Sequence, residues 1–163
     1  MVIPRQFKTI SFQALCVPAI VLVVGAQGLA AVYLSIEEAQ QAIFPGETFT
    51  VVELNKKPKI WRASQGGFFI IDKVIGKHEW ITYALGINPD GSIRQIEIME
   101  YREAYGFEVC QKKWRKQFIG KTNTAALKLN ADIKNISGAT LSCRHVTDGV
   151  KDLMELYETV LKK

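Results

Sequence analysis

The hydrophobic pattern is clearest at the C-terminal end of the chain. From Leu141 to Leu161, apolar residues recur at three- and four-residue intervals: Cys143, Val146, Val150, Leu153, Met154, Tyr157, Val160 and Leu161. That spacing gathers them on one side of an α-helix, a side that must be buried against a core. A second, shorter helix is signalled by Ser35-Ile36-Glu37-Glu38, a hydroxyl cap followed by acids in the first turn, with Phe44-Pro45-Gly46 as its stop. Between them the pattern changes to short runs rich in β-branched and aromatic residues. Thr48 to Leu54, Phe68 to Val74, Trp80 to Leu85 and Ile93 to Met99 read as strands, and the turn residues Asn88-Pro89-Asp90-Gly91 separate the last two. Trp61 to Ala63 is ambiguous, and Ile93, Ile96 and Ile98 do not alternate cleanly, so the faces of that strand stay open. Val109 to Phe118 reads as a helix with Cys110, Trp114 and Phe118 on one side, ended by Gly120. Thr122 to Ile136 reads as a polar, extended lead into the last helix. The pattern predicts an α+β domain, an antiparallel sheet of four or five strands with flanking helices and a C-terminal amphipathic helix.

The start of that last helix breaks an electrostatic rule. The free N–H groups of a first turn favour Asp or Glu nearby. Here no acid occurs from Ile133 to Thr147, and the charged neighbours are Lys134, Arg144 and His145. Cations beside a positive helix end are unfavourable unless an anion joins them, and phosphate is the usual one. Ser137-Gly138-Ala139-Thr140 precedes the helix and suits that use. Gly138 permits close backbone approach, Ala139 keeps the approach narrow, and Thr140 offers a hydroxyl at the expected N-cap position. The plainer reading is that Ser137 or Thr140 simply caps the helix.

Charge and composition add the question of location. Arg5 and Lys8 precede an uncharged run from Thr9 to Ile36, with an apolar centre from Cys16 to Gly25 and small residues at Gly28-Leu29-Ala30-Ala31. The order basic, apolar, small is that of a secretory signal, and the length of the run also fits an uncleaved membrane anchor. Residues 1–31 are therefore expected to be a signal peptide or membrane anchor and residues 32–163 a single domain, placed outside the cytoplasm. Removing the segment takes away only Arg5 and Lys8 and leaves a net charge near +3. That mild charge, with no basic stripe interleaved with aromatics, does not point to nucleic acid. The densest cluster, Lys112-Lys113-Trp114-Arg115-Lys116, is either a solvated helix face or a docking patch for an acidic partner. In an oxidising compartment Cys110 and Cys143 could pair; on the apolar faces of their helices they could equally remain buried thiols.

Ser137-Gly138-Ala139-Thr140 before an amphipathic helix, with Asp148-Gly149-Val150 further on, resembles the FMN-binding domain family, whose members include the C subunit of sodium-pumping quinone reductases and the G subunit of Rnf complexes. The resemblance runs roughly from Ile36 to Val160 and includes Phe44-Pro45-Gly46 and the pattern Trp114-x-x-x-Phe118-x-Gly120-Lys121. In that family the last Thr of the motif carries FMN through a phosphoester bond made by a flavin transferase, and Thr140 stands at that place. A Glu-Thr-x-Gly-like loop lies against the flavin; Glu103 and Gly106 match it and Ala104 replaces the Thr. Covalently modified members carry Asp where Lys134 stands here. The resemblance implies FMN as cofactor, held by Ser137, Gly138, Ala139, Thr140, Leu141, Ser142, Glu103, Tyr105 and Gly106 with Lys134 and Arg144 around them. Tyr105 and Phe107 would stack on the flavin ring, or are ordinary surface anchors of the loop.

Other chemistries lack their residues. No Cys-x-x-Cys-His, iron–sulfur cysteine set, zinc-ligand spacing, Gly-x-Gly-x-x-Gly, P-loop or nucleophile elbow occurs, and no side chain stands out as a catalytic group. The resemblance implies an extracytoplasmic FMN electron carrier working with a cytochrome or a membrane electron-transfer complex, with membrane association possible. The alternative is a non-redox module that binds FMN or another phosphate ligand for sensing or assembly. N-terminal sequencing of the native protein is expected to begin at Ala31 or Val32; a chain that still begins at Met1 would identify residues 1–31 as an anchor.

Overall fold

The computed structural model describes residues 33–54 and 58–163. The expected signal or anchor, and with it Cys16, lies outside the described residues. Helix α1, Ile36–Ile43, is followed by β1 (Phe49–Val52), β2 (Lys59–Ala63), β3 (Phe68–Ile75), β4 (Trp80–Ile87) and β5 (Ile93–Tyr101). The strands pair in chain order as one antiparallel sheet, so the ambiguous Trp61–Ala63 run belongs to a strand. A short helix α2 (Lys112–Arg115) lies between two 3-10 turns, and α3 (Thr140–Leu156) ends in a widened π turn over Tyr157–Leu161.

Both faces of the sheet are covered, and β4 shows why. Its large residues Ile81, Tyr83, Leu85 and Ile87 point to the main core with α3, while Ala84 points to a smaller core with Ala39, Ile43 and Phe44 at α1. The small side chains Thr82, Ala84 and Gly86 leave room for α1 on that face. The expected capping box is present: Ser35 Oγ accepts from the Glu38 N–H at 3.1 Å and Glu38 Oε2 from the Ser35 N–H at 2.8 Å.

The uneven spacing in β5 has a geometric cause. Ile87 pairs with Ile93, Leu85 with Ile96, Tyr83 with Ile98 and Ile81 with Tyr101, with register shifts on either side of the central pairs. The shifts pass over Arg94 and Met99, and each inserts a residue without a partner. All four inward residues of β5 thus reach the same face despite spacings of three, two and three.

Two expectations need correction. Val109 to Phe118 is not one helix. Gln111 is extended (φ −71°, ψ 131°), which separates a 3-10 turn at Phe107–Cys110 from α2. Arg115 draws the segment onto β5, pairing with Glu97 at 2.7 Å and donating to the carbonyls of Ile96 and Cys110. Arg115 is thus a structural ion pair within the basic cluster, and Lys112, Lys113 and Lys116 are its exposed members. Nor is Thr122 to Ile136 extended. Leu127 and Asn130 adopt positive φ, Leu127 and Ile133 are buried in the main core, and the Asp132 carboxylate accepts the N–H groups of Leu127 and Lys128. Two apolar anchors within six residues fold the segment back on itself. Cys110 and Cys143 are both free, and burial pushes the Cys110 thiol up to about 12.

Helix α3 meets the sheet most closely at Gly149. A Cβ there would lie 2.7 Å from both Tyr83 Oη and Val74 Cγ1, inside any normal contact. Gly149→Ala would gain about 1 kcal/mol of helix propensity and lose about 1–3 kcal/mol to overpacking. The expected outcome in denaturant unfolding is a net loss of stability, larger still for Gly149→Val; a stabilised Gly149→Ala would mean that α3 does not sit this close to β3 and β4.

Candidate functional site

The site lies where three segments meet: the β3–β4 turn, the loop after β5 and the approach to α3. The motif forms a turn with Gly138 at φ 86°, a backbone region that any side chain would strain. The turn closes with the Ala139 N–H on the Ile136 carbonyl at 3.0 Å, and the first helical bond runs from the Cys143 N–H to the Ala139 carbonyl at 2.9 Å. The N–H groups of Thr140, Leu141 and Ser142 therefore precede the helical ladder. Ala139 occupies the N-cap, no side chain caps the helix, and no acid lies in the first turn. This corrects the expectation for Thr140: it is the first helical residue, and neither it nor Ser137 caps the helix.

Thr140 is half-buried, between exposed Ser137 and Gly138 on one side and exposed Leu141 on the other. Its Oγ1 accepts from Asn135 Nδ2 at 3.0 Å. Asn135 Oδ1 is buried with no hydrogen-bond partner among the described residues. Lys134 is fixed through its backbone: its carbonyl accepts from Trp114 Nε1 at 2.8 Å and its N–H donates to Gln117 Oε1 at 2.8 Å. The side chains of Lys134 and Arg144 are exposed and unpaired with any described residue. His145 is tied to the end of β3, with its Nδ1 2.5 Å from the Ile75 carbonyl, which requires the proton on that nitrogen.

The loop after β5 is locked onto the motif. Tyr101 Oη donates to the Tyr105 carbonyl at 2.5 Å and lies 3.0 Å from Ser142 Oγ. Burial pushes the Tyr101 phenol up to about 12, against the opposing effect of the Ser142 hydrogen bond, so it stays a donor across the physiological range. Gly106 has φ 85°, and a Cβ on it would lie 2.8 Å from Tyr101 Oη, 3.1 Å from Ser142 Oγ and 3.3 Å from the Ala139 Cα. Only glycine fits where loop and motif touch. The Tyr105 ring is 78% exposed, whereas the Phe107 ring packs edge-on against Tyr101 at 6.0 Å.

Glu103 has a different orientation from that expected of a group facing a ligand. Its side chain is buried, and Oε1 accepts the N–H groups of His78 at 2.5 Å and Glu79 at 2.9 Å. It binds the β3–β4 turn to the loop that meets the motif. Tyr101 and Asn135 carry the junction without having been among the expected residues. A signal for Asn135 was its place within the acid-free stretch, five residues before Thr140. Tyr101 ends a strand and gave none.

A glycine turn, an acid-free first turn with three N–H groups outside the ladder and a hydroxyl beside them give this α+β domain a set of groups that can receive a phosphate. Residues 76–155 match the family described as the FMN-binding domain. No curated protein matches the chain. FMN is the cofactor. The residues present fit it: the first turn supplies donors for a phosphate, and the buried, unpartnered Asn135 Oδ1 stands ready for a donor beside Thr140.

Burial raises the Glu103 carboxyl, but N–H donors from Glu79, His78 and Lys77 outweigh that and hold it below the ordinary value of 4.5. A carboxylate depressed in the folded state contributes stability that is fully present above its unfolded value and is lost as pH falls through the folded one. Glu103→Gln is expected to cost roughly 1–2 kcal/mol at pH 7. The gap to the unmodified chain should narrow below about pH 4; a gap that stays constant with pH would mean that the charge does not hold the turn.

Proposed function

We propose that this protein is an extracytoplasmic electron carrier whose FMN is joined to Thr140 through a phosphoester bond. The observation that carries this reading is the Thr140 hydroxyl, half-buried at the first position of an acid-free helix inside the family-matched stretch. A phosphate carried on Thr140 Oγ1 would be held by the N–H groups of the first turn. The helix dipole stabilises an anion there by about 0.3–1 kcal/mol at an exposed end, too little to retain a cofactor in a dilute compartment. A covalent tether removes that difficulty. In forming it, Thr140 Oγ1 gives up its proton and makes the bond to phosphorus, while the donor's leaving group departs with the electron pair of the broken P–O bond; a flavin transferase is the partner that does this.

FMN supplies one- or two-electron chemistry when bound, and the chain supplies position and environment. Ser142, held by Tyr101, fixes the first turn; Gly106 allows the loop to close on it; Lys134 and Arg144 offset the phosphate charge. The exposed Tyr105 ring leaves that side of the site open to a redox partner, a cytochrome or a membrane electron-transfer complex. Placement outside the cytoplasm follows from the basic, apolar and small order of residues 1–31.

The test is the mass of protein exported from cells that contain the flavin transferase. Added FMN mass and a flavin-fluorescent band after denaturation are expected, both absent in Thr140→Val, and reduced loading with an intact fold is expected in Arg144→Glu. Flavin that binds natively but leaves on denaturation would overturn the phosphoester and leave FMN binding in place.

A further inference from the structure

We infer that Asn135 is a specificity-determining residue for the flavin, using its two amide atoms on two different parts of the ligand. The inference rests on the reading of Thr140 as the attachment residue. Asn135 Nδ2 already donates to Thr140 Oγ1 at 3.0 Å. That bond survives esterification, because an ester oxygen still accepts while it can no longer donate. The other amide atom, Oδ1, is buried and has no partner among the described residues, and a buried acceptor without a donor is destabilising.

The chemistry of the missing partner can be narrowed. Oδ1 is an acceptor only, and a phosphodiester at neutral pH is also an acceptor only. The two cannot satisfy each other. The donor must come from the part of the ligand next to the phosphate, and in FMN that part is the ribityl chain, a run of hydroxyl groups. Asn135 thus reads the ester oxygen with its N–H and a ribityl hydroxyl with its C=O. A phosphate-bearing ligand without hydroxyls beside its phosphate would leave Oδ1 unpaired and be discriminated against, as sites with buried polar groups reject analogues that lack the matching group.

Asn135→Ala and Asn135→Leu are compared with the unmodified chain by two measurements: the rate of FMN incorporation at limiting transferase, and the melting temperature before and after loading. Both variants are expected to melt at or above the unmodified apo chain, because the orphaned oxygen is gone. They are expected to load about tenfold more slowly and to gain less in melting temperature on loading. A lower apo melting temperature in both variants would show that Asn135 only supports the fold, and unchanged loading with an unchanged gain would show that Oδ1 meets no ligand; either result overturns the inference. If the unmodified chain binds FMN without a covalent bond, the Thr140 reading fails by itself, and the same comparison made on the dissociation constant for FMN still decides the role of Asn135.

Discussion

The junction between Tyr101 and Ser142 is the contact on which the functional end of the molecule depends. Tyr101 closes β5 and reaches across to the third residue of α3, while the same hydroxyl holds the backbone of the loop that follows. Sheet, loop and helix start are therefore fixed by one buried phenol. The contact is possible only because α3 lies close to the sheet at Gly149 and because Gly106 has no side chain to separate loop from motif. Rigid elements thus position a site that is itself made largely of backbone.

The site keeps several interactions unmade. The helix has no side-chain cap, its first turn has no acid, and, among the described residues, two nearby cations are unpaired and one amide oxygen is buried without a donor. Each omission costs the apo chain a fraction of a kcal/mol to a few kcal/mol. By contrast, α1 has a full capping box, and Glu103, Asp132 and Arg115 are each used on backbone groups. Several of these deficits lie together where a phosphate-bearing ligand would meet them; Tyr83 Oη, also buried without a partner among the described residues, lies apart from them beside Gly149.

Much of the architecture was legible in the chain because it rests on local periodicity. The three- and four-residue spacing of α3, the capping box of α1 and the turn residues before β5 act within a few positions of one another. The Ser-Gly-Ala-Thr motif and the missing acids around it were legible for the same reason. The segments that misled were those whose backbone answers to distant partners. Val109 to Phe118 breaks at Gln111 because Arg115 is drawn to Glu97, and Thr122 to Ile136 curls because Leu127 and Ile133 enter a core made by other elements.

By itself the sequence determined an α+β domain with an antiparallel sheet, an amphipathic last helix and an anion-receptive start to it, since periodicity, caps and charge are properties of neighbouring residues. Tertiary structure alone decided which groups meet there. The two bulges of β5 bring Tyr101 to the face that α3 covers, the fold-back of residues 122–136 delivers Asn135 to Thr140, and Glu103 turns inward because the N–H groups of a hairpin more than twenty residues earlier lie within its reach. These are hydrogen bonds between residues far apart in the chain, and their geometry exists only once the sheet and helix have packed.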